Sequence, residues 1–105
     1  MLDSTQFIYM ISYQGKIILR TSDIKKFNVY DSLLKQIDIE EIELTNDEIK
    51  QLSKCILRIY AEDVARIDVS YLTEQVFRYF LIDGLEAVLN ANSKQLLLDI
   101  YDNEY

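Results

Sequence analysis

Segment 39–60, IEEIELTNDEIKQLSKCILRIY, constrains this chain more than any other stretch. Ile49, Leu52, Ile56 and Ile59 recur at spacings of three and four, and Leu57 and Tyr60 widen the stripe. That pattern is one face of an amphipathic helix of about four turns. The helix start is written just before it. Thr45-Asn46-Asp47-Glu48 offers side-chain oxygens to the free N–H groups of a first turn, and Asp47 and Glu48 complement its positive end. Upstream, Ile39, Ile42 and Leu44 are apolar while Glu41 and Glu43 are acidic, which predicts a short half-buried strand with both glutamates facing outward. A helix this one-sided needs partners for its apolar face, and the rest of the chain must supply them.

The chain order follows from that requirement. Residues 7–13 are rich in aromatic and β-branched side chains, Gln14-Gly15 follows, and residues 16–20 are again strand-like, so a β-hairpin turning at Gly15 is expected. Thr21-Ser22-Asp23 is capping chemistry ahead of Ile24–Phe27, a short helix that Asn28 should punctuate. Tyr30, Leu33, Leu34 and Ile37 predict a second short helix. After residue 60, Ala61-Glu62-Asp63 breaks the stripe. Ser70 then reads as a cap, and Leu72, Val76, Phe77 and Phe80 form another apolar face. Gly84 is the joint to the next helix, which starts with Leu85, Val88 and Leu89. Residues 90–93 loosen the pattern, and Leu97, Leu98 and Tyr101 resume it toward a frayed end at 102–105. The short polar segment Met1 to Gln6 stands outside these elements. The expected fold is α+β: a small three-stranded sheet, made of a hairpin plus one short strand, packed with about five helices as a single domain over 1–105.

Composition narrows the function. With 11 basic and 18 acidic residues the net charge is −7, the wrong sign for gripping nucleic-acid phosphates. It suits basic protein partners. There is no histidine, and a single cysteine forms neither an intrachain disulfide nor a zinc site. Cys55, beside Ile56, reads as a small buried apolar group, which fits a cytoplasmic or nuclear setting. No proline and two glycines leave no glycine-rich phosphate loop, no flexible linker and no low-complexity tract. No apolar run reaches membrane-spanning length, and the first residues lack a leader pattern, so no membrane association is expected. The paired carboxylates read as a solvated face, and no nucleophile–base arrangement stands out. The expectation is a non-enzymatic protein without metal or cofactor.

The order and spacing of these pieces resemble the BTB/POZ superfamily, and within it the cullin-ligase adaptors of the Skp and elongin C type. The hairpin corresponds to that family's first two strands, and Ser22 to Ile37 to its first two helices. Ile42-Glu43-Leu44-Thr45-Asn46, with Leu52, Ile56 and Tyr60 after it, corresponds to its third strand and following helix. Tyr79-Phe80-Leu81-Ile82-Asp83-Gly84-Leu85 is similar to its tyrosine–isoleucine–glycine–leucine signature. The resemblance implies an adaptor that joins a cullin-like scaffold to the helical box of a substrate receptor in a ubiquitin ligase. Arg78 and Tyr79 stand where the family's adaptors touch the cullin. Arg78 replaces the usual asparagine and Phe77 one of a pair of small residues, so the alternative is a core Tyr79 beside a solvated Arg78. Leu85, Val88, Leu89, Leu97 and Tyr101 are the candidate trough for a receptor helix; the alternative is that the last helix covers them within the chain. The short start disfavours the dimeric BTB arrangement, and the short end places the chain nearer elongin C than Skp. Two other readings stand beside the adaptor. One is an acidic viral or mobile-element decoy, either of a ligase component or of DNA, acting through Asp38, Glu40, Glu41, Glu43, Asp47 and Glu48. The other is a self-associating BTB scaffold. The adaptor reading requires residues 41–44 to pair with the hairpin.

Overall fold

In the computed structural model, which describes residues 7–63 and 67–104, Gln14 and Gly15 both adopt positive φ, 52° and 77°. A two-residue turn of that hand matches the twist of antiparallel strands. It joins β1 (Tyr9–Tyr13) to β2 (Lys16–Thr21) as the expected hairpin. Ile11 faces Leu19 across the ribbon and both are buried. Beyond them the register shifts so that Ser12 meets Ile17, a bulge that leaves Ile18 without a direct partner. The inner face lies on α1 (Ile24–Glu40), where the Tyr9 and Phe27 rings meet with centroids 4.9 Å apart.

Helix α1 is one element of 17 residues where two short helices were expected. Asp23 caps it by accepting from the Lys25 and Lys26 N–H groups. Asn28 does not interrupt it, because its side chain is exposed and its modest helix propensity is outweighed by the packing of Val29, Tyr30, Leu33 and Ile37 on the opposite side.

The predicted third strand is absent, and among the described residues the sheet has two strands. Ile39 and Glu40 are the last residues of α1, and Ile39 is exposed. Glu41 turns the backbone left-handed (φ 55°, ψ 44°), and the N–H groups of Glu41 and Ile42 close onto the carbonyls of Asp38 and Ile37. This is a Schellman ending with a glutamate where glycine is usual. The apolar pair it joins, Ile37 and Ile42, is a helix-terminus contact, which explains why the segment mimicked strand alternation. Residues 42–45 form no strand. Leu44 is buried, and its N–H donates to the Tyr13 hydroxyl at 3.3 Å, tying the segment to the ribbon through a side chain instead of a ladder. Glu41 and Glu43 therefore share no strand face.

Helix α2 (Asn46–Glu62) opens with a complete capping box: the Glu48 N–H donates to Thr45 Oγ1 at 3.1 Å, and the Thr45 N–H to Glu48 Oε1 at 2.8 Å. Ile49, Leu52, Ile56 and Ile59 are wholly removed from solvent. Helix α2 packs against all four other helices. Helix α3 (Val69–Asp83) is capped by Asp68, which accepts from the Tyr71 N–H at 3.1 Å; Ser70, the expected cap, lies inside the first turn with its hydroxyl 3.4 Å from that of Ser32. Gly84, at φ 94°, joins α3 to α4 (Leu85–Asn90) in a backbone conformation that side chains disfavour. Asn92 accepts from the Gln95 N–H ahead of α5 (Ser93–Glu104), which runs through most of the segment expected to fray. Segment 1–6 and Tyr105 lie outside the described residues. No described helix is long and apolar enough to cross a membrane.

The two helix boundaries flanking residues 42–45 yield opposite expectations on mutation. Glu41→Gly should raise unfolding stability by about 1 kcal/mol by relieving the left-handed glutamate, whereas Thr45→Ala should lower it by about 1 kcal/mol. Urea denaturation followed by circular dichroism checks both; a destabilised Glu41→Gly would contradict the Schellman ending.

Candidate interaction groove on helix α3

Helix α3 presents two neighbouring stripes. Leu72, Thr73, Val76 and Phe77 face inward and are buried, chiefly against α1. Beside them, Tyr71, Glu74, Gln75, Arg78, Tyr79 and Ile82 recur at helical spacing and line an open groove of about 370 Å³. Its composition is mixed. Gln75 is buried, Tyr71 and Tyr79 are half-buried, and Ile82 is 80% exposed at one end. Glu74 and Arg78 form a one-turn ion pair at 3.0 Å. Such exposed pairs contribute little to stability, about 0.3–0.5 kcal/mol, so Arg78 is held loosely enough to be redirected by a partner.

Arg78 and Tyr79 thus sit on one surface, Arg78 exposed and Tyr79 in the wall. Tyr79 also borders a small cleft of about 50 Å³ formed with Asp83, Ala87, Val88, Ala91 and Leu96, so one ring bridges the α3 groove and the α3–α4–α5 junction.

The predicted C-terminal trough is largely internal. Val88 and Leu97 are 2% and 5% exposed and belong to the core, because α4 and α5 both close onto α2. Leu85 and Leu89 are half-buried against that core. Tyr101 is half-buried and its hydroxyl donates to the Asp63 carboxylate. Asp63 is itself buried and also accepts from the Ile67 N–H, so it ties the end of α2 to α5 and to the approach to α3. In the sequence Asp63 only breaks an apolar stripe; the signal of its role is a carboxylate at a helix C-terminus, where the dipole disfavours it.

The acidic residues do not form one array on one element. Asp38 and Glu40 are on the end of α1, Glu41 closes that helix, Glu43 lies in the following segment, and Asp47 and Glu48 begin α2, with Glu48 engaged in the capping box. Among the described residues, no three His, Cys, Asp or Glu side chains gather as a metal-binding group. Cys55 is buried, as expected, with its Sγ 3.5 Å from the Val88 carbonyl and from an Arg58 guanidinium nitrogen. Burial pushes the thiol pKa up, and Arg58 partly opposes that shift.

No family model, curated protein or solved structure matches this chain.

The division between core and groove is open to a mutational check. Val88→Ala and Leu97→Ala should each cost about 2–4 kcal/mol by opening cavities, whereas Ile82→Ala should change stability by less than about 0.5 kcal/mol. Equal, small losses at all three positions would restore an open trough. Cys55 should behave as a buried thiol: at pH 8, below its raised pKa, it stays protonated in the folded chain, and alkylation should proceed at the rate of unfolding and accelerate in denaturant. Rapid native-state labelling would contradict this.

Proposed function

We propose that the chain is a non-enzymatic protein-interaction module that takes a helix of a partner along the α3 groove. The observation that carries the proposal is the groove itself. Tyrosine and arginine are the residue types most often found to dominate binding energy, since they combine large area with a polar tip. Here two tyrosines and an arginine line one concavity with a largely exposed isoleucine at its end. A partner helix with apolar residues at i, i+3, i+4 and i+7 would cover Tyr79 and Ile82 while its polar flank meets Glu74 and Arg78.

The more specific form of this reading is a cullin-type adaptor. It is supported by the likeness of residues 79–85 to the adaptor signature and by the shared surface of Arg78 and Tyr79. The adaptor form, however, required residues 41–44 to pair with the hairpin as a third strand, and no strand forms there, so that condition is not met and the groove carries the interaction role without the resemblance.

Binding separates the two levels. Titration against purified cullin N-terminal domains and receptor box helices should give micromolar or tighter affinity if the chain is such an adaptor. Tyr79→Ala should then weaken binding at least tenfold while leaving the fold intact. Binding that is insensitive to Tyr79→Ala and Ile82→Ala would overturn the groove, and absence of binding to every cullin and box helix would overturn the adaptor form.

A further inference from the structure

The hairpin has a second face that the helices do not use. Along β1, Tyr9, Ile11 and Tyr13 turn toward α1 and the core, so strand alternation sends Ile8, Met10 and Ser12 outward. Ile17 stands across from Ser12, and Arg20 across from Met10. Ile8, Met10 and Ile17 are 63%, 54% and 48% exposed. A strand face of this kind is normally either covered or made polar. Here, beside Ser12 and Arg20, it is largely apolar, and no described residue covers it.

We propose that this ribbon face is a self-association surface on which the hairpin of a second copy packs, the two ribbons lying face to face about a twofold axis. Charge selects the occupant. The chain carries −7 overall, so two copies repel at most approaches. Residues 4–22, which include the whole hairpin, contain no Asp or Glu, and Lys16 and Arg20 are its only charged residues. The ribbon is the longest acid-free stretch of the chain, and its face brings no carboxylates together. A twofold arrangement sets the same patch against itself, so neither copy brings a carboxylate to the contact, and Lys16 and Arg20 must lie at its edge, clear of their own counterparts.

Area agrees with a modest dimer. With about 200 Å² for a fully exposed large side chain, the three apolar residues leave on the order of 300 Å² free per protomer, the size of surface patch that is often functional. Interfaces are a little over half apolar, so such a patch belongs to an interface of about 600 Å² per protomer, or roughly 1,200 Å² in all, with Arg20 and Lys16 at its polar rim. That total lies at the low end of specific association. The surface is separate from the α3 groove, and the dimer stands or falls independently of the helix-binding reading.

Sedimentation velocity of the full chain, at concentrations from about 5 to 500 μM, tests the proposal, since small interfaces are commonly weak or transient. The mass should double across that range, and added salt should strengthen association by screening the net negative charge. Met10→Glu and Ile17→Glu should each weaken dimerisation at least tenfold, with circular dichroism and melting temperature showing that the fold is kept. Leu98→Glu, at an exposed leucine on α5, should leave it unchanged. A wild-type chain that stays monomeric throughout overturns the proposal, whether because another part of the chain or a different protein covers the ribbon. So does a dimer that survives Ile17→Glu or is lost on Leu98→Glu.

Discussion

The apolar edge of α2 is the constraint on which the rest of the fold depends. Ile49, Leu52, Ile56 and Ile59 are all fully excluded from water, and the helix that carries them touches each of the other four helices. Burying four such side chains is worth on the order of 6–12 kcal/mol, as large as the whole net stability of a typical small domain. Each of the other four helices covers part of that face. The capping box at Thr45 fixes where the helix begins, and so which side chains point inward. Cys55, on the same helix, is small enough for α4 to approach until the Val88 carbonyl meets the thiol. The interior is therefore organised around one helix, with the hairpin attached to α1 at its side.

What the sequence made legible, and what it did not, follows from the range of the interactions involved. The hairpin turn, the capping box, the inward stripe of α2 and the break at Gly84 are local, encoded within a few residues each. The third strand failed because residues 39–44 carry two overlapping signals. Ile39, Ile42 and Leu44 can be read as strand alternation, but Ile37 and Ile42 are also the apolar pair of a Schellman ending, and that ending needs a left-handed residue that glutamate rarely supplies. With no glycine at 41 the ending left no mark. Asn28 misled in the opposite direction, since a residue of low helix propensity on a solvent-facing position is easily carried by a helix whose other side is buried.

The candidate site divides the same way. Arg78 and Tyr79 were singled out by their sequence neighbourhood, and the remaining walls, Tyr71, Glu74, Gln75 and Ile82, follow from helical spacing once α3 is known to begin at Val69. The C-terminal leucines misled because periodicity reveals that a face is apolar without revealing what covers it. Val88 and Leu97 are apolar because α4 and α5 close over α2, and Tyr101 reaches back to a buried carboxylate that no local pattern announced.

Placing the groove on α3 has a physical consequence for binding. The inward stripe of that helix is locked by Leu72, Val76 and Phe77, its start by the Asp68 cap, and its end by the Gly84 N–H on the Phe80 carbonyl. A partner would thus meet side chains on a backbone that needs no further ordering, which lowers the entropic cost of association. If two copies pair through their ribbons, the assembly carries two such grooves in a fixed relation, because the hairpin lies on α1 and α1 is the main support of α3. A partner with two suitably spaced helices would then engage the second groove at an effective concentration set by geometry, without any new contact at the groove itself. Weak pairing of the ribbons would in turn be strengthened by such a partner, since each bivalent contact holds the two copies together.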